Sequence, residues 1–224
     1  MPPRNAPGCF LTFEGIDGCG KTTQLDLFAE YLTRLRLPFL VTREPGGTEL
    51  GERIRKVVLS GQSVGMDPRT ELLLLFASRA QNVAQTIRPA LARGRVVLCD
   101  RFTDASLAYQ GYGRGLELDF IRRLHRIACQ GLQPDLTLVI DIDPSTSVRR
   151  ARRRNFDARQ DEGRFERETR AFYERVRRGY RALARREPRR VKFIPGEDTP
   201  ENIHQAVLDH ARPLLAAPLR RRRR

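Results

Sequence analysis

Apolar and polar positions along this chain switch repeatedly between two periods. Short runs rich in apolar and β-branched residues predict five strands: Cys9-Phe10-Leu11-Thr12-Phe13, Phe39-Leu40-Val41-Thr42, Val96-Val97-Leu98-Cys99, residues 136–140, and Val191-Lys192-Phe193-Ile194. Between them apolar residues recur at helical spacing. Leu25, Leu27, Phe28, Tyr31, Leu32 and Leu35 mark a first helix, and residues 50–60 a second. A long helical pattern covers residues 67–92, with Asp67 as N-cap, Pro68 at the first position and Pro89 as a stop or bend. Further helices are predicted over 116–129, in an Arg-rich region after Asp143, and over 199–215. No internal repeat or linker interrupts the alternation. It predicts one α/β domain over residues 9–215, a doubly wound, mainly parallel five-stranded sheet flanked by helices. Ligands of such sheets bind beyond the C-terminal strand ends. Residues 1–8 and 216–224 read as disordered ends.

The first strand leads straight into Gly15-Ile16-Asp17-Gly18-Cys19-Gly20-Lys21-Thr22, which fits the phosphate-loop pattern G-x-x-x-x-G-K-[ST]. Gly15, Gly18 and Gly20 let the backbone curl so that N–H groups point at phosphates, those of Cys19 and Thr23 included. Lys21 reaches the β- and γ-phosphates, and the Thr22 hydroxyl ligates Mg²⁺. Composition sharpens the reading. Of 42 basic residues only Lys21, Lys56 and Lys192 are lysines. A chain that nearly always uses Arg has Lys where a compact ammonium fits and a planar guanidinium does not. The plain alternative is a glycine turn joining strand to helix.

The net charge of +15 raises the question of nucleic-acid binding, so its location matters. Residues 149–190 carry 17 arginines against 7 acids, and Arg220 to Arg224 add five more positive charges. The remainder is balanced. One basic block therefore adjoins the predicted anion site and the other is a solvated tail, with no stacking motif or nucleic-acid signature beside either. The four cysteines, Cys9, Cys19, Cys99 and Cys129, are far apart and form no C-x-x-C pair, which fits a reducing cytoplasm. No apolar run is long enough to span a membrane.

Other chemistry falls at the ends of the predicted strands: Thr42-Arg43-Glu44-Pro45-Gly46-Gly47-Thr48, Asp100-Arg101-Phe102, and Asp141-Ile142-Asp143-Pro144. A strand-end Asp beside a phosphate loop can hold Mg²⁺, and an Arg can clamp phosphate. Each taken alone also reads as an ion pair, a turn or a helix start. Together with Thr70-Glu71-Leu72-Leu73, Arg79-Ala80-Gln81, Ile87-Arg88-Pro89-Ala90-Leu91, Ser106-Leu107-Ala108-Tyr109-Gln110-Gly111 and Pro134-Asp135-Leu136-Thr137, they occur in the order found in thymidylate kinases. From residue 9 to about 195 the chain resembles that family.

The resemblance implies a P-loop nucleoside monophosphate kinase fold, ATP as phosphoryl donor, Mg²⁺, dTMP as acceptor, a cytoplasmic homodimer, and phosphorylation of dTMP to dTDP in dTTP biosynthesis. It places Asp17 near the sugar 3′-hydroxyl and the metal, with Asp100 and Thr22 as further metal candidates. Arg43 and Arg101 fall where the acceptor phosphate is held. Arg79 falls where thymine is contacted, Ser106 and Gln110 where the base edge is hydrogen-bonded, and Tyr109 against the deoxyribose. Residues 149–165 correspond to a lid. Gly18 stands where one branch of the family carries an Arg, so the likeness is to the branch whose lid supplies arginines. Arg152 and Arg154 are the candidates here, and Arg153 or Arg164 the substitutes. There are two departures. Leu75 stands where a Phe commonly stacks on thymine, with Phe76 one residue later and about 100° round the helix. Ala105 replaces a common Ser. Other acceptors, another monophosphate or a deoxynucleoside, therefore remain as rivals. A nucleic-acid-dependent ATPase is the alternative suggested by charge, and the absence of an N-K-x-D sequence argues against a GTPase.

Overall fold

The computed structural model describes residues 8–147, 149–150, 164–165 and 168–222, with side chains up to Leu215. Five strands, β1 (Cys9–Glu14), β2 (Phe39–Arg43), β3 (Val96–Asp100), β4 (Leu136–Asp141) and β5 (Val191–Pro195), form one parallel sheet in the order β2-β3-β1-β4-β5. Each runs one residue past the apolar run that predicts it. The ladder hydrogen bonds belong to the backbone and continue for a residue after the side chains turn polar. Those extra residues matter for the site. Phe13, Arg43 and Asp100 are level across β1, β2 and β3, so the charged ends emerge along one edge.

The central strand is buried along its whole length, as expected of a parallel sheet covered on both faces. Alternating residues serve opposite faces. Leu11, Phe13 and Leu98 join a large cluster with Phe28 and Leu32, whereas Phe10, Val97 and Cys99 pack with Val83, Ile87 and Phe102 on the other side.

The helices are α1 (Lys21–Arg34), α2 (Glu49–Leu59), α3 (Pro68–Asn82), α4 (Arg88–Ala92), α5 (Thr103–Ser106), α6 (Leu118–Cys129), α7 (Arg170–Arg186) and α8 (Pro200–Arg222). The Asp67 carboxylate caps α3 by accepting from the amides of Arg69 and Thr70, with Pro68 in the first turn. The helix predicted as continuous to residue 92 is divided by a π-helical turn, Val83–Ile87. Pro89 explains it: the ring has no N–H and crowds the carbonyl four residues earlier, so the turn before it widens. A second π-helical stretch, Leu107–Gly113, carries Tyr109 and Gln110. The α8 backbone continues to Arg222, beyond the predicted end at 215.

The described part of the Arg-rich region includes one helix that packs on the core. On α7, Phe172, Tyr173, Val176, Tyr180 and Leu183 form a buried stripe while most of the arginines point outward. Arg177 makes a bidentate pair with Asp141 at 2.6 and 2.8 Å, and Arg190 pairs with Asp104 at 2.6 Å.

Candidate active site

The phosphate loop closes because glycine occupies its strained positions. Gly15, Gly18 and Gly20 have φ of 134°, 73° and 94°. A Cβ on Gly15 would stand 2.4 Å from the carbonyl oxygen of Ile140, so nothing larger fits between the loop and β4. Lys21, at the start of α1, is buried and folds back over the loop. Its Nζ donates to the carbonyls of Ile16 at 3.2 Å and Gly15 at 3.4 Å. Cys19 lies beneath it, buried, and burial pushes its thiol pKa up against the opposing charges of Lys21 and Arg101. Arg150, in the helical residues that follow β4, donates to the Gly18 carbonyl at 3.4 Å.

A cleft of about 840 Å³ opens from this loop along the strand ends. Of the predicted residues, Asp17, Gly18, Lys21 and Thr22 line one part of it. Arg43, Leu75, Arg79, Asp100, Arg101, Ser106, Tyr109 and Gln110 line the rest. Thr23 is exposed on α1. Arg152 and Arg154 lie outside the described residues, as does Arg153.

Arg101 is the hub at the middle of the cleft. Its backbone takes the left-handed conformation at φ 68°, which a non-glycine residue adopts only under local compulsion. The side chain donates to the Gly15 carbonyl at 3.0 Å, the Asp17 carboxylate at 2.6 Å and the Tyr109 hydroxyl at 3.0 Å, and its guanidinium lies over the Tyr109 ring. Asp17 also accepts from the Tyr173 hydroxyl at 3.1 Å, and Ser147 donates to the Asp17 carbonyl. Thus Asp17 is first of all the anchor of Arg101. Arg43 pairs with Glu52 at 2.8 Å at the rim.

The far end of the cleft, away from the phosphate loop, sets one apolar side chain among hydrogen-bonding ones. Leu75 is buried and lines the cleft. Phe76 does face elsewhere: it is in the core, under the Arg79 guanidinium at 4.5 Å. Arg79 is only 2% exposed and is held by three hydrogen bonds. It donates to Glu44 at 2.5 Å, Ser106 at 3.1 Å and the Phe102 carbonyl at 3.1 Å. It is therefore a strut of the cleft floor as well as a donor facing it. Gln110 donates to Glu71 at 2.7 Å. Arg164, considered above as a phosphate ligand, is instead buried in an ion pair with Glu71 at 2.6 Å.

Several site residues were not singled out from the sequence. Glu14, at the end of β1, is wholly buried and accepts from the Phe102 amide at 2.7 Å and the Tyr180 hydroxyl at 2.7 Å. It thereby fixes the backbone just after Arg101. Tyr173 and Tyr180, seven apart on α7, carry the only signal available: a helical apolar stripe inside the Arg-rich region. Burial pushes the Glu14 carboxyl up to about 7, opposed in part by Arg101. The folded state then binds a proton that the unfolded chain releases near the ordinary carboxylate pKa, so this group's contribution to stability is lost as pH rises between about 4.5 and 7. Glu14→Gln, which keeps an acceptor for Phe102, should flatten that slope in thermal unfolding measured across the window. An unchanged slope would mean that Glu14 is ionised throughout.

A parallel sheet in this strand order, a phosphate loop between β1 and α1, and a cleft with an arginine-rich middle and a hydrogen-bonding end define a P-loop kinase of the nucleoside monophosphate type. Comparison with known proteins narrows the class. The thymidylate kinase family model matches residues 13–207. A thymidylate kinase of Desulfovibrio desulfuricans is 49% identical over 217 residues, covering 96% of this chain and 98% of the relative. One from Geobacter sulfurreducens is 49% identical over 204 residues, covering 90% of this chain and 95% of the relative. The crystal structure of thymidylate kinase from Ehrlichia chaffeensis superposes with a TM-score of 0.71 at 36% identity, covering 91% of this chain and 98% of that one. The chain belongs to the thymidylate kinase family.

Proposed function

We propose that this protein transfers the γ-phosphoryl group of Mg-ATP directly to the 5′-phosphate of dTMP, giving dTDP for dTTP synthesis. The observation that carries the reading is the cleft itself. One continuous cavity joins the phosphate loop to an end floored by Leu75 and edged by Arg79, Ser106 and Gln110. An apolar floor and a hydrogen-bonding edge suit a planar pyrimidine. Arg101 and Arg43 lie between the two ends, where an acceptor phosphate would stand.

The acceptor needs no general base. A phosphate monoester has its second pKa near 6 and is already mostly the dianion at pH 7. Catalysis is then alignment of two anions and neutralisation of the charge between them. Lys21 and the loop amides supply positive charge from one side and Arg101 from the other. Arg152 and Arg154 would complete it from the lid. Mg²⁺ would neutralise phosphate oxygens as well, and the residues fit it. The Asp100 Oδ1 is buried without a partner among the described residues, and Thr22 also lines the cleft. Such a partial shell suits an ion that keeps waters and shares phosphate oxygens.

Assembly and location follow the family. Exposed Leu50 and Val57 on α2, Leu73 on α3 and Ile127 on α6 lie on helices packed in series, which supports a homodimer with a mass readable by light scattering. No described helix is long and apolar enough to cross a membrane, and all four cysteines are free, which supports the cytoplasm.

The test is ADP production from Mg-ATP with dTMP, dUMP, dCMP, AMP, GMP, thymidine or single-stranded DNA. Selective turnover with dTMP is the expected result. Preference for another monophosphate would keep the phosphate half of the site and replace the base. ADP formed only with DNA would overturn the kinase reading.

A further inference from the structure

Behind the cleft's base end, in contact with Gln110, lies a buried carboxylate. Glu71 on α3 is 0% exposed. Burying a carboxylate is costly, and a well-packed apolar residue would serve the core better. Two arginines offset the charge, Arg164 at 2.6 Å and Arg114 at 3.3 Å. Neither explains why the carboxylate lies under Gln110.

The Gln110 contact does. A glutamine amide can present either its oxygen or its nitrogen, and coordinates alone seldom distinguish them. An ionised carboxylate removes the ambiguity because it only accepts. At 2.7 Å from Glu71 Oε1, the atom must be the Gln110 nitrogen. The Gln110 oxygen is then left without a partner among the described residues, on a side chain that lines the cleft. Beside it, one helical turn earlier, Ser106 is held by a donated hydrogen bond from Arg79. The edge of the cleft thus carries the Gln110 acceptor beside the Arg79 guanidinium, which lines the cleft and has more N–H groups than the three bonded to Glu44, Ser106 and the Phe102 carbonyl.

We propose that Glu71 is a positioning residue for base selectivity: it locks the Gln110 amide with its oxygen toward the cleft. This deepens the dTMP reading and rests on it. A fixed acceptor beside a guanidinium donor complements the N3–H and O4 of thymine or uracil. Cytosine offers the reverse, a lone pair at N3 and an N–H₂ at C4, and would leave buried polar groups opposed.

The experiment compares kcat/KM for dTMP and dCMP in the wild type, Glu71→Gln and Glu71→Asp. In Glu71→Gln the new side-chain amide would offer both a donor and an acceptor, so Gln110 could turn either way. Aspartate keeps the charge for Arg114 and Arg164 but withdraws its oxygen from Gln110 by a methylene. Both variants should lower the dTMP:dCMP ratio at least ~10-fold, mainly through KM, with kcat for dTMP changed only a few-fold. The ratio is read within one preparation, so a lower folded fraction does not move it. If Glu71→Gln does not fold, Glu71→Asp decides. An unchanged ratio would reduce Glu71 to an ion-pair partner. A wild type that uses dCMP as readily as dTMP would overturn the thymine reading beneath the proposal as well.

Discussion

Lys21→Ala should lower kcat by roughly 10³-fold or more while dTMP affinity stays within a few-fold of wild type. The asymmetry follows from where the residue lies. Lys21 Nζ is folded onto the carbonyls of Gly15 and Ile16, at the opposite end of the cleft from Leu75 and Gln110. Those two carbonyls hold the ammonium inside the loop, so it meets an incoming phosphate already desolvated and placed. Its charge counts most when the phosphoryl group is in transit, and removing it costs the transition state more than either ground state. Lys21→Arg should recover little, because the loop that accepts the ammonium has no room for a planar guanidinium. Steady-state kinetics together with calorimetric titration of dTMP would check both halves. Near-normal turnover in Lys21→Ala would place the γ-phosphate elsewhere. A matching collapse of dTMP binding would mean that the loop had unfolded.

How much of this site was legible in the chain depends on the range over which each signal acts. The phosphate loop is a local constraint: glycines at fixed spacing and one Lys in an Arg-rich chain state the chemistry within eight residues. The positions of the three inner strands were likewise legible, because burial on both faces imposes an unbroken apolar run. Four of the five strands were read one residue short because their last positions are charged, Glu14, Arg43, Asp100 and Asp141, and the fifth because it ends on Pro195. The π-helical turns were not legible beyond the hint from Pro89, since the periodicity of a helix barely registers one added residue. Least legible were the partners. Glu14 reads as a strand-end acid, and only the fold brings Tyr180, 166 residues away, onto it. Arg164 read as a lid arginine like its neighbours. Its distinction is the buried Glu71, which local sequence does not reveal.

The Arg79–Glu44 pair carries the largest expected effect on stability. Both side chains are 3% exposed and 2.5 Å apart, with Asn82 donating to the second Glu44 oxygen at 3.3 Å. Arg79→Met keeps the stem packed over Phe76 and removes the guanidinium, leaving a buried, uncompensated carboxylate. Breaking such a pair costs about 3–5 kcal/mol, or a Tm lower by roughly 6–20 °C for a chain of this size. The loss should depend on pH in a definite direction. Burial already holds the Glu44 carboxyl above its ordinary range, with Arg79 opposing the shift. Without Arg79 it rises further, and a carboxyl raised in the folded state loses stability as pH increases. The deficit of Arg79→Met should therefore be smaller at pH 5 than at pH 8. Adding Glu44→Gln should recover much of it, because the remaining amide can stay neutral and hydrogen-bonded to Asn82. Thermal unfolding of the two singles and the double at both pH values separates the alternatives. Additive losses that do not vary with pH would mean that the pair contributes only packing. The same variants bear on function, since the strut that fails thermally also floors the base end. In the Glu44→Gln/Arg79→Met protein, stability should return while the KM for dTMP remains high, because the donor facing the base is still missing.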